Sequence, residues 1–410
     1  MIIRYLKYIL FVQFFVLVMG CKTNQTLVKS SKKAADVNWV GSWACAQMLV
    51  ETNNMPPDPG LAENTLRQII KVSIGGDNIR LRFSNLFSDQ PTVLKKISIA
   101  NVINAPAIDK NTQQILSFNG NQEITLNPGQ DVFSDVVNFQ LKPGQLLAIT
   151  IYYGAASQKT SGHPGSRTTS YILTGDNVNN ADFSDAVKTD HWYSIMGLDV
   201  MASKETSNIV CLGNSITDGR GSGTNKQNRW TDILAARLSA DNTTKHIGVL
   251  NLGIGGNCVV KGGLGPTALD RFDRDVLSQA GTKWLVILEG INDIGGIKRA
   301  EDAPVKAQEI IDAYKVMIEK AHARDIKVYG CTILPFQKSF YDAPFKQDAR
   351  DIVNAWIRNN FDAVIDFDKE MASEADPKTI LSNMHDGDFL HPNELGYKRM
   401  GEVVDLNLFK

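Results

Sequence analysis

Apolar and polar residues alternate along the first half of the chain. In the segments 70–74 and 79–83, apolar side chains occupy every second position. A period of two places those side chains on one face of a β-strand. Gly75-Gly76-Asp77 lies between the two segments and predicts a β-hairpin. Further strands are predicted at 97–103, 122–126, 136–141 and 146–152.

Proline and glycine occur together in the turns between these strands, at Pro128-Gly129 and Pro143-Gly144. Proline presets φ at one turn position, and glycine supplies the positive φ that the next position requires. Many short strands at this spacing are typical of an all-β sandwich. We therefore predict a jelly-roll-like β-sandwich accessory domain over residues 38–200.

The pattern changes at about Ser207, where mostly apolar runs begin to alternate with helical segments. The apolar runs are 209–212, 249–252, 284–288, 326–333 and 363–367, and the helical segments are 230–238, 303–324, 345–359 and 394–406. Continuous apolar strands between amphipathic helices predict a parallel sheet that is covered on both faces. The fold class predicted for residues 201–410 is therefore α/β. Ligands of such sheets bind at the carboxyl ends of the strands.

The first 20 residues have the pattern of a signal peptide. Basic residues precede an almost wholly apolar run at 8–18, which is shorter than the roughly 20 residues of a membrane span. The next residues are Gly20-Cys21, which resemble the lipobox of bacterial lipoproteins. This resemblance implies an exported protein, cleaved before a lipid-modified Cys21 and anchored to a membrane of the bacterial cell envelope, with a tether at 21–37. An ordinary secretory peptide with an incidental cysteine is the alternative.

Charge and cysteine content narrow the range of partners. The chain has 43 Lys and Arg residues against 44 Asp and Glu residues, so no basic excess is present to hold a nucleic acid. The four cysteines after Cys21 have neither the spacing of a disulfide framework nor that of a zinc site, and we expect buried free thiols. The sequence leaves the oligomeric state open.

Three polar motifs follow three predicted strands of the α/β region. Ser215 lies on a glycine-containing turn, from which its hydroxyl can attack a ligand while its backbone N–H helps to hold an oxyanion. Gly256 lies in a glycine-rich strand end that lets backbone N–H groups approach a ligand. Asn292 can donate its side-chain amide to a developing negative charge. Taken singly, each motif can also be a simple turn or cap.

A fourth motif pairs an acid with a histidine. Asp388 precedes His391 by three residues on one loop, so its carboxylate can reach Nδ1 of the imidazole. Nε2 is then free to take a proton from a serine, and the ordinary histidine pKa of about 6.5 suits a base at neutral pH. The other five histidines lack this arrangement.

Together, the four motifs resemble the sequence blocks of the SGNH hydrolase (GDSL esterase/lipase) family, here GNSITDG, NLGIGGN, GIND and DFLH. The resemblance implies a flavodoxin-like three-layer fold and acyl-ester hydrolysis without a metal or cofactor. It implies that Ser215 is the nucleophile, His391 the base and Asp388 the acid that orients the base. It also implies an oxyanion hole formed by Ser215, Gly256 and Asn292.

One residue departs from the family pattern. Asn214 stands where an aspartate usually precedes the serine. Asparagine is nearly isosteric with aspartate and keeps an acceptor oxygen, so we expect the turn to form. The GxSxG elbow of α/β-hydrolases is absent from the sequence, which argues against that fold.

The β region resembles the N-terminal jelly-roll-like domains of some bacterial SGNH esterases, including carbohydrate acetylesterases. Its polar segment 161–171 contains His163 and Arg167, which either lean over the catalytic rim to contact substrate or belong to a surface loop. We expect a serine esterase for short-chain acyl esters, such as O-acetyl groups, on a small-molecule or glycan substrate. Lipase, lysophospholipase-like or acyltransferase activity with the same triad is an alternative. A non-catalytic glycan-binding lipoprotein is another.

Overall fold

The structure is a computed structural model that describes residues 37–410. The predicted signal peptide at 1–20, Cys21 and all but the last residue of the tether at 21–37 lie outside the described residues, and these assignments stay predictions. Within 37–410, none of the helices has the length and apolar character that crossing a membrane requires.

The first part of the described chain is built from strands. These strands are β1 (Val37–Ala44), β2 (Met48–Leu49), β3 (Asn64–Lys71), β4 (Gly76–Asn85), β5 (Thr92–Asn104), β6 (Ala107–Ile108), β7 (Gln114–Ile115), β8 (Ile124–Leu126), β9 (Gln130–Phe133), β10 (Val137–Leu141), β11 (Leu146–Tyr153), β12 (Ser161–His163), β13 (Ser170–Thr174), β14 (Val187–Thr189), β15 (Trp192–Tyr193) and β16 (Ile195–Ser203). Short 3₁₀ helices at Thr52–Asn54 and Lys110–Thr112 lie between them.

Two antiparallel sheets of this region face each other across an apolar core. One has the strand order β1-β16-β4-β10, with β9 also on β4, and the other has the order β14-β13-β3-β11-β5-β6, with β7 and β8 also on β5. Alternate residues of β4, Ile79, Leu81 and Phe83, are buried in one cluster with Ile149 and Ile151 of β11. The predicted β-sandwich is confirmed.

The hairpin predicted at 70–83 is wrong. β3 pairs with β11 and β13, whereas β4 pairs with β16, β9 and β10, so the intervening turn carries the chain from one sheet to the other. The N–H of Ser73 donates to the carbonyl of Ser42 (2.9 Å) instead of to a partner strand. Period-two alternation on both sides of a glycine turn is common to hairpins and to strands that cross a sandwich, so the sequence pattern does not separate the two.

Five parallel strands form the sheet of the second region. They are β17 (Ser207–Gly213), β18 (Ile247–Gly253), β19 (Thr282–Leu288), β20 (Lys327–Cys331) and β21 (Ala363–Ile365). Their spatial order is β18-β17-β19-β20-β21, which is the flavodoxin-like 2-1-3-4-5 order. This order confirms the predicted α/β class and puts the switch point, where ligands bind, between β17 and β19.

Helices cover both faces of this sheet. They are α1 (Ser215–Asp218), α2 (Trp230–Ala240), α3 (Ile291–Gly295), α4 (Ala303–His322), α5 (Pro344–Asn360), α6 (Phe367–Met371) and α7 (Glu394–Val403), with a π-helical turn at Asp273–Leu277 and 3₁₀ helices at Ala300–Asp302 and Leu406–Phe409. Side chains of β17 alternate between the faces. Val210 and Leu212 pack with residues of α4 and α5, whereas Ile209 and Cys211 pack with residues of α2 and α7.

The β region packs directly against the parallel sheet. Ala44, Ala46 and Met48 belong to the same buried cluster as Val210 and Leu250 of the sheet. The described residues accordingly belong to one compact unit. The two regions share part of one core, and the domain boundary between 200 and 201 stays a prediction.

The cysteines of the described part are buried and unpaired. They are Cys45, Cys211, Cys258 and Cys331. Burial raises the pKa of the Cys45 and Cys211 thiols well above the ordinary value. These thiols are therefore neutral and act as small apolar side chains of the core.

Candidate active site

Ser215 begins a short helix at the carboxyl end of β17. Asn214 caps this helix, because its Oδ1 accepts a hydrogen bond from the N–H of Ile216 (3.0 Å). Gly213 is required by close packing, since a Cβ there would lie 2.1 Å from Oγ1 of Thr217. As the first residue of the helix, Ser215 has a backbone N–H without an intrahelical acceptor. The turn thus presents a hydroxyl and an N–H at the switch point of the sheet.

Ser215, His391 and Asp388 form a continuous chain of hydrogen bonds. Oγ of Ser215 lies 2.9 Å from Nε2 of His391, and Nδ1 of His391 lies 2.6 Å from Oδ2 of Asp388. Oδ1 of Asp388 accepts from the backbone N–H groups of Leu390 (3.0 Å) and His391 (2.9 Å). The pairing with a carboxylate assigns the proton of the neutral imidazole to Nδ1 and leaves Nε2 as the acceptor for the serine hydroxyl.

Burial and charge set the protonation of this pair. Burial lowers the pKa of His391 below its ordinary value of 6.5, while the hydrogen bond and the charge of Asp388 act in the opposite direction. The positive charges of Arg220 and Arg167 lower it further. Burial by itself raises the pKa of Asp388, but the hydrogen bonds that this carboxylate accepts hold its pKa below the ordinary value. At neutral pH, His391 is therefore neutral and Asp388 is charged.

Gly256 and Asn292 line the same cavity as Ser215. Gly256 has a φ of +71°, which glycine adopts without strain. Among residues 37–410, none accepts a hydrogen bond from its N–H. Nδ2 of Asn292 donates to the carbonyl of Asn257 (2.7 Å), and Oδ1 accepts from the hydroxyl of Tyr341 (3.0 Å). These two bonds fix the amide and leave its second N–H for a ligand.

The cavity beside Ser215 has a volume of about 360 Å³ and is lined by both regions of the chain. The β region contributes Met48, Glu51, Asn54, His163, Arg167 and His191, among others. Segment 161–171 contains no exposed residue, so its interpretation as a surface loop is wrong.

Within the described residues, no three His, Cys, Asp or Glu side chains cluster closely enough to hold a metal ion.

The sequence of the α/β region matches a known family. Residues 211–399 match the family model described as GDSL-like lipase/acylhydrolase. The chain carries a GDSL-like acylhydrolase domain. The matched range includes both Ser215 and His391, and the domain makes the protein a carboxylic ester hydrolase. No curated protein is significantly similar in sequence to this chain.

Several solved structures are similar to about half of the chain. A GDSL-like lipase from Bacteroides thetaiotaomicron is 24% identical and has a TM-score of 0.35, over 49% of this chain and 87% of that one. The acetyl xylan esterase AlAXEase is 20% identical with a TM-score of 0.37, over 48% of this chain and 96% of that one. A catalytic mutant of Axe2, an acetylxylan esterase from Geobacillus stearothermophilus, is 18% identical with a TM-score of 0.36, over 48% and 91%.

Asp218 is a residue of the acylhydrolase domain whose role the sequence pattern does not indicate. It is buried at the end of α1, and its Oδ1 lies 2.9 Å from Nε2 of His163. Nδ1 of His163 lies 2.8 Å from the carbonyl of Ala46. Burial by itself raises the pKa of Asp218, but its interactions with His163 and nearby arginines hold the pKa below the ordinary value. In the sequence, the one feature that sets Asp218 apart is that it is the single acid among the otherwise uncharged residues of GNSITDG.

The structure indicates different roles for His163 and Arg167, the two residues predicted to contact substrate. Both ring nitrogens of His163 are bonded to protein groups, so His163 joins the β region to the helix that begins with Ser215. Arg167 also lines the cavity, and its guanidinium forms no hydrogen bond with a described residue. Arg167 therefore stays a candidate for substrate contact, whereas His163 is better described as a positioning residue.

The buried Glu289 explains the departure at Asn214 from the usual aspartate. Nδ2 of Asn214 lies 3.3 Å from Oε2 of Glu289 and 3.4 Å from the carbonyl of Leu288. Burial raises the pKa of Glu289 to about 8, although Nη2 of Arg271 lies 3.7 Å from its Oε1. An aspartate at position 214 would place a second carboxylate against Glu289, and each charge would disfavour the other. Asparagine supplies a donor at this position and still caps the helix.

We predict that Asn214→Asp destabilises the protein increasingly as the pH rises. Because the pKa of Glu289 is raised from 4.5 to about 8, the stability due to its protonated form is complete below pH 4.5 and is lost as the pH rises through about 8. A second carboxylate adds repulsion once both groups ionise. The free energy of unfolding should fall by about 1–3 kcal/mol at pH 8 and by less at pH 6, measured by urea denaturation.

The double variant Asn214→Asp/Glu289→Gln is the matched control for this prediction. It exchanges the amide and the acid, so the new amide can donate to the new carboxylate, and stability should return towards that of the wild type. A double variant no more stable than Asn214→Asp, or an equal loss at both pH values, would contradict the assignment of Glu289 as the cause.

Proposed function

We propose that this protein is a serine esterase that removes short acyl groups, such as acetyl, from hydroxyl groups of a sugar. The observation that carries the proposal is the hydrogen-bond chain from Ser215 through His391 to Asp388 at the wall of the cavity. A hydroxyl bonded to a neutral imidazole, which is in turn oriented by a carboxylate, is the arrangement of an activated nucleophile.

The first step acylates the serine. His391 Nε2 takes the proton of Ser215 Oγ as this oxygen attacks the carbonyl carbon of the ester. The carbonyl oxygen becomes an oxyanion, which the N–H groups of Ser215 and Gly256 and the free N–H of Asn292 can hold. His391 then gives its proton to the leaving sugar oxygen, and the acyl group remains on the serine.

The second step releases the acid. His391, neutral again, takes a proton from a water molecule that attacks the acyl carbon. The tetrahedral intermediate collapses, Ser215 recovers its proton, and the carboxylic acid departs. A second alcohol in place of water would give acyl transfer with the same residues, so the acyltransferase alternative differs only in the molecule that deacylates Ser215.

The walls of the cavity favour a short acyl group and a polar alcohol. A volume of about 360 Å³ lies near the lower end of the range of roughly 300–1,000 Å³ for small-molecule sites. Glu51, Asn54 and His191 of the β region line it and carry groups that can bond sugar hydroxyls. These features support an acetylated sugar over a long-chain lipid.

A lysophospholipase-like activity is the second candidate, because two exposed apolar residues lie at the cavity. Phe340 is 66% exposed and Leu264 is 47% exposed, and both belong to its lining. Exposed apolar side chains around a polar site are typical of surfaces that bind apolar ligands. An acyl chain longer than the cavity would lie across these two residues.

We predict that the purified protein hydrolyses 4-nitrophenyl acetate and that Ser215→Ala lowers kcat by about 10⁴-fold or more, because the nucleophile is removed. Ser222→Ala is the matched control, since Oγ of Ser222 is buried and has no hydrogen-bond partner within residues 37–410. The rate should fall from acetate through butyrate to octanoate. Equal nitrophenol release by wild type and Ser215→Ala would refute the proposal, and a maximum at octanoate would favour the lysophospholipase-like activity.

The pH dependence tests the role of His391. Only the neutral imidazole accepts a proton, so kcat/KM should be constant above the pKa of His391 and should fall as the pH drops through it. Because burial lowers this pKa, half of the activity should remain at a pH below 6.5. Asp388→Asn removes the interactions that raise the pKa, so the midpoint should move lower still while kcat falls. A profile that is flat down to pH 4 in the wild type would contradict the role of His391.

A further inference from the structure

We propose that Arg167 and Arg220 form an anion-binding subsite in the cavity beside Ser215, and that the preferred substrates are acyl esters of sugars that carry a carboxylate or phosphate group. This inference rests on the proposed esterase function and adds the chemical class of the alcohol. The reaction at Ser215 is unchanged, because the anion remains on the departing sugar.

Arg167 is held in the cavity wall by its backbone. Its φ of +49° is a left-handed conformation that is uncommon for residues other than glycine, and its carbonyl accepts from the N–H of Asn225 (2.9 Å). Its guanidinium forms no hydrogen bond with a described residue, and its Nε is buried without a partner. The nearest carboxylate oxygen, Oδ2 of Asp218, lies 3.7 Å from Nη2, which is longer than a hydrogen bond.

Arg220 is tied by its backbone to the nucleophile. Its N–H donates to the carbonyl of Ser215 (2.9 Å), and its own carbonyl accepts from the hydroxyl of Tyr397 (2.7 Å). The side chain is exposed, lines the cavity and forms neither an ion pair nor a hydrogen bond within residues 37–410. The backbone of Arg220 is thus held beside Ser215, while its guanidinium has donors free for a ligand.

Two acids also line the cavity, and of these only Asp218 lies within ion-pair distance of one of the arginines, 3.7 Å from Nη2 of Arg167. Asp218 is buried, and its Oδ1 is already bonded to His163. Glu51 accepts a hydrogen bond from Nδ2 of Asn54 (3.1 Å) and forms no ion pair with a described residue. The positive charge of each arginine acts on the catalytic base, since each lowers the pKa of His391.

The chemistry of guanidinium selects the ligand class. The planar N–H donors of a guanidinium match the oxygens of a carboxylate or a phosphate, and they can bind each of these groups through two parallel hydrogen bonds. A neutral sugar offers only hydroxyl groups, which would leave Arg220 without a counter-charge among the described residues and Arg167 with only the 3.7 Å contact to Asp218. An acidic or phosphorylated sugar pairs with both arginines while its ester lies at Ser215.

The test compares three acetylated sugars of the same ring type: a neutral glycoside, the corresponding uronic acid and the corresponding sugar phosphate. The full-length protein should show kcat/KM values about 10- to 100-fold higher for at least one anionic ester than for the neutral one, because bonds to charged groups are stronger than neutral ones. The ratio of the anionic to the neutral kcat/KM is the readout. A change in the pKa of His391 affects all three substrates alike and cancels in this ratio.

Arg167→Gln and Arg220→Gln should each lower that ratio about tenfold, mainly through KM. Arg167→Lys keeps the charge without the planar pair of donors and should lower it less. Arg324→Gln is the matched control, because Arg324 is exposed at the opposite end of the sheet, before β20, and its side chain has no partner among the described residues. Its ratio should equal that of the wild type. Thermal unfolding of each variant establishes that it is folded.

The outcomes separate this inference from the proposed function. A ratio near one in the wild type, or a ratio that neither glutamine variant changes, overturns the subsite while hydrolysis of 4-nitrophenyl acetate persists. A preference for the uronic acid or for the sugar phosphate supports it and identifies the anion. Failure to hydrolyse any ester, including 4-nitrophenyl acetate, would overturn the esterase itself.

Discussion

The buried hydrogen bond between Asp218 and His163 joins the two parts of the active site. Asp218 ends the helix that Ser215 begins, and its N–H donates to the carbonyl of Asn214 (2.9 Å), so its position is fixed relative to the nucleophile. His163 is held on its other side by the carbonyl of Ala46. The β region is therefore attached to the nucleophile turn itself, and it contributes wall residues to the same cavity. This bond is one direct link between the sandwich and the helix that carries Ser215.

Burial and hydrogen bonding together set the charge states of Asp388 and His391, and a different effect dominates for each residue. For His391, burial dominates and the imidazole is neutral, whereas for Asp388 the accepted hydrogen bonds dominate and the carboxylate is charged. Behind the nucleophile, burial has the opposite effect on an acid and keeps Glu289 protonated. The buried Glu289 holds a proton up to about pH 8, and Asn214 bonds to it without adding charge. The asparagine at position 214 is therefore compatible with the buried acid at position 289, with which it forms a hydrogen bond.

Local patterns in the sequence were enough to predict the α/β class of the acylhydrolase domain. Each of its five strands contains a mostly apolar run, and residues that follow three of these strands meet at one end of a parallel sheet, so Ser215, Gly256 and Asn292 line one cavity. The spacing of Asp388 and His391 on one loop also predicted their contact correctly. These features depend on residues that are close in sequence or on the general geometry of parallel sheets.

Features that depend on distant contacts were not predictable in this way. The alternation at 70–83 is the same for a hairpin and for a crossing between two sheets, and only the partners of β3 and β4 decide between them. The contact of His163 with Asp218 joins residues 55 positions apart, in two regions that the sequence analysis treated separately. Neither residue has a neighbour in sequence that indicates the other.

Covalent labelling with a nitrophenyl alkylphosphonate tests the central claim most directly, because such an ester phosphonylates an activated serine and leaves a stable adduct. We expect one adduct per chain, which mass spectrometry should find on the peptide that contains Ser215. Labelling should be strongly slowed in His391→Ala, which retains the serine but lacks the base. An adduct on a different residue, or labelling of His391→Ala at the rate of the wild type, would contradict the account.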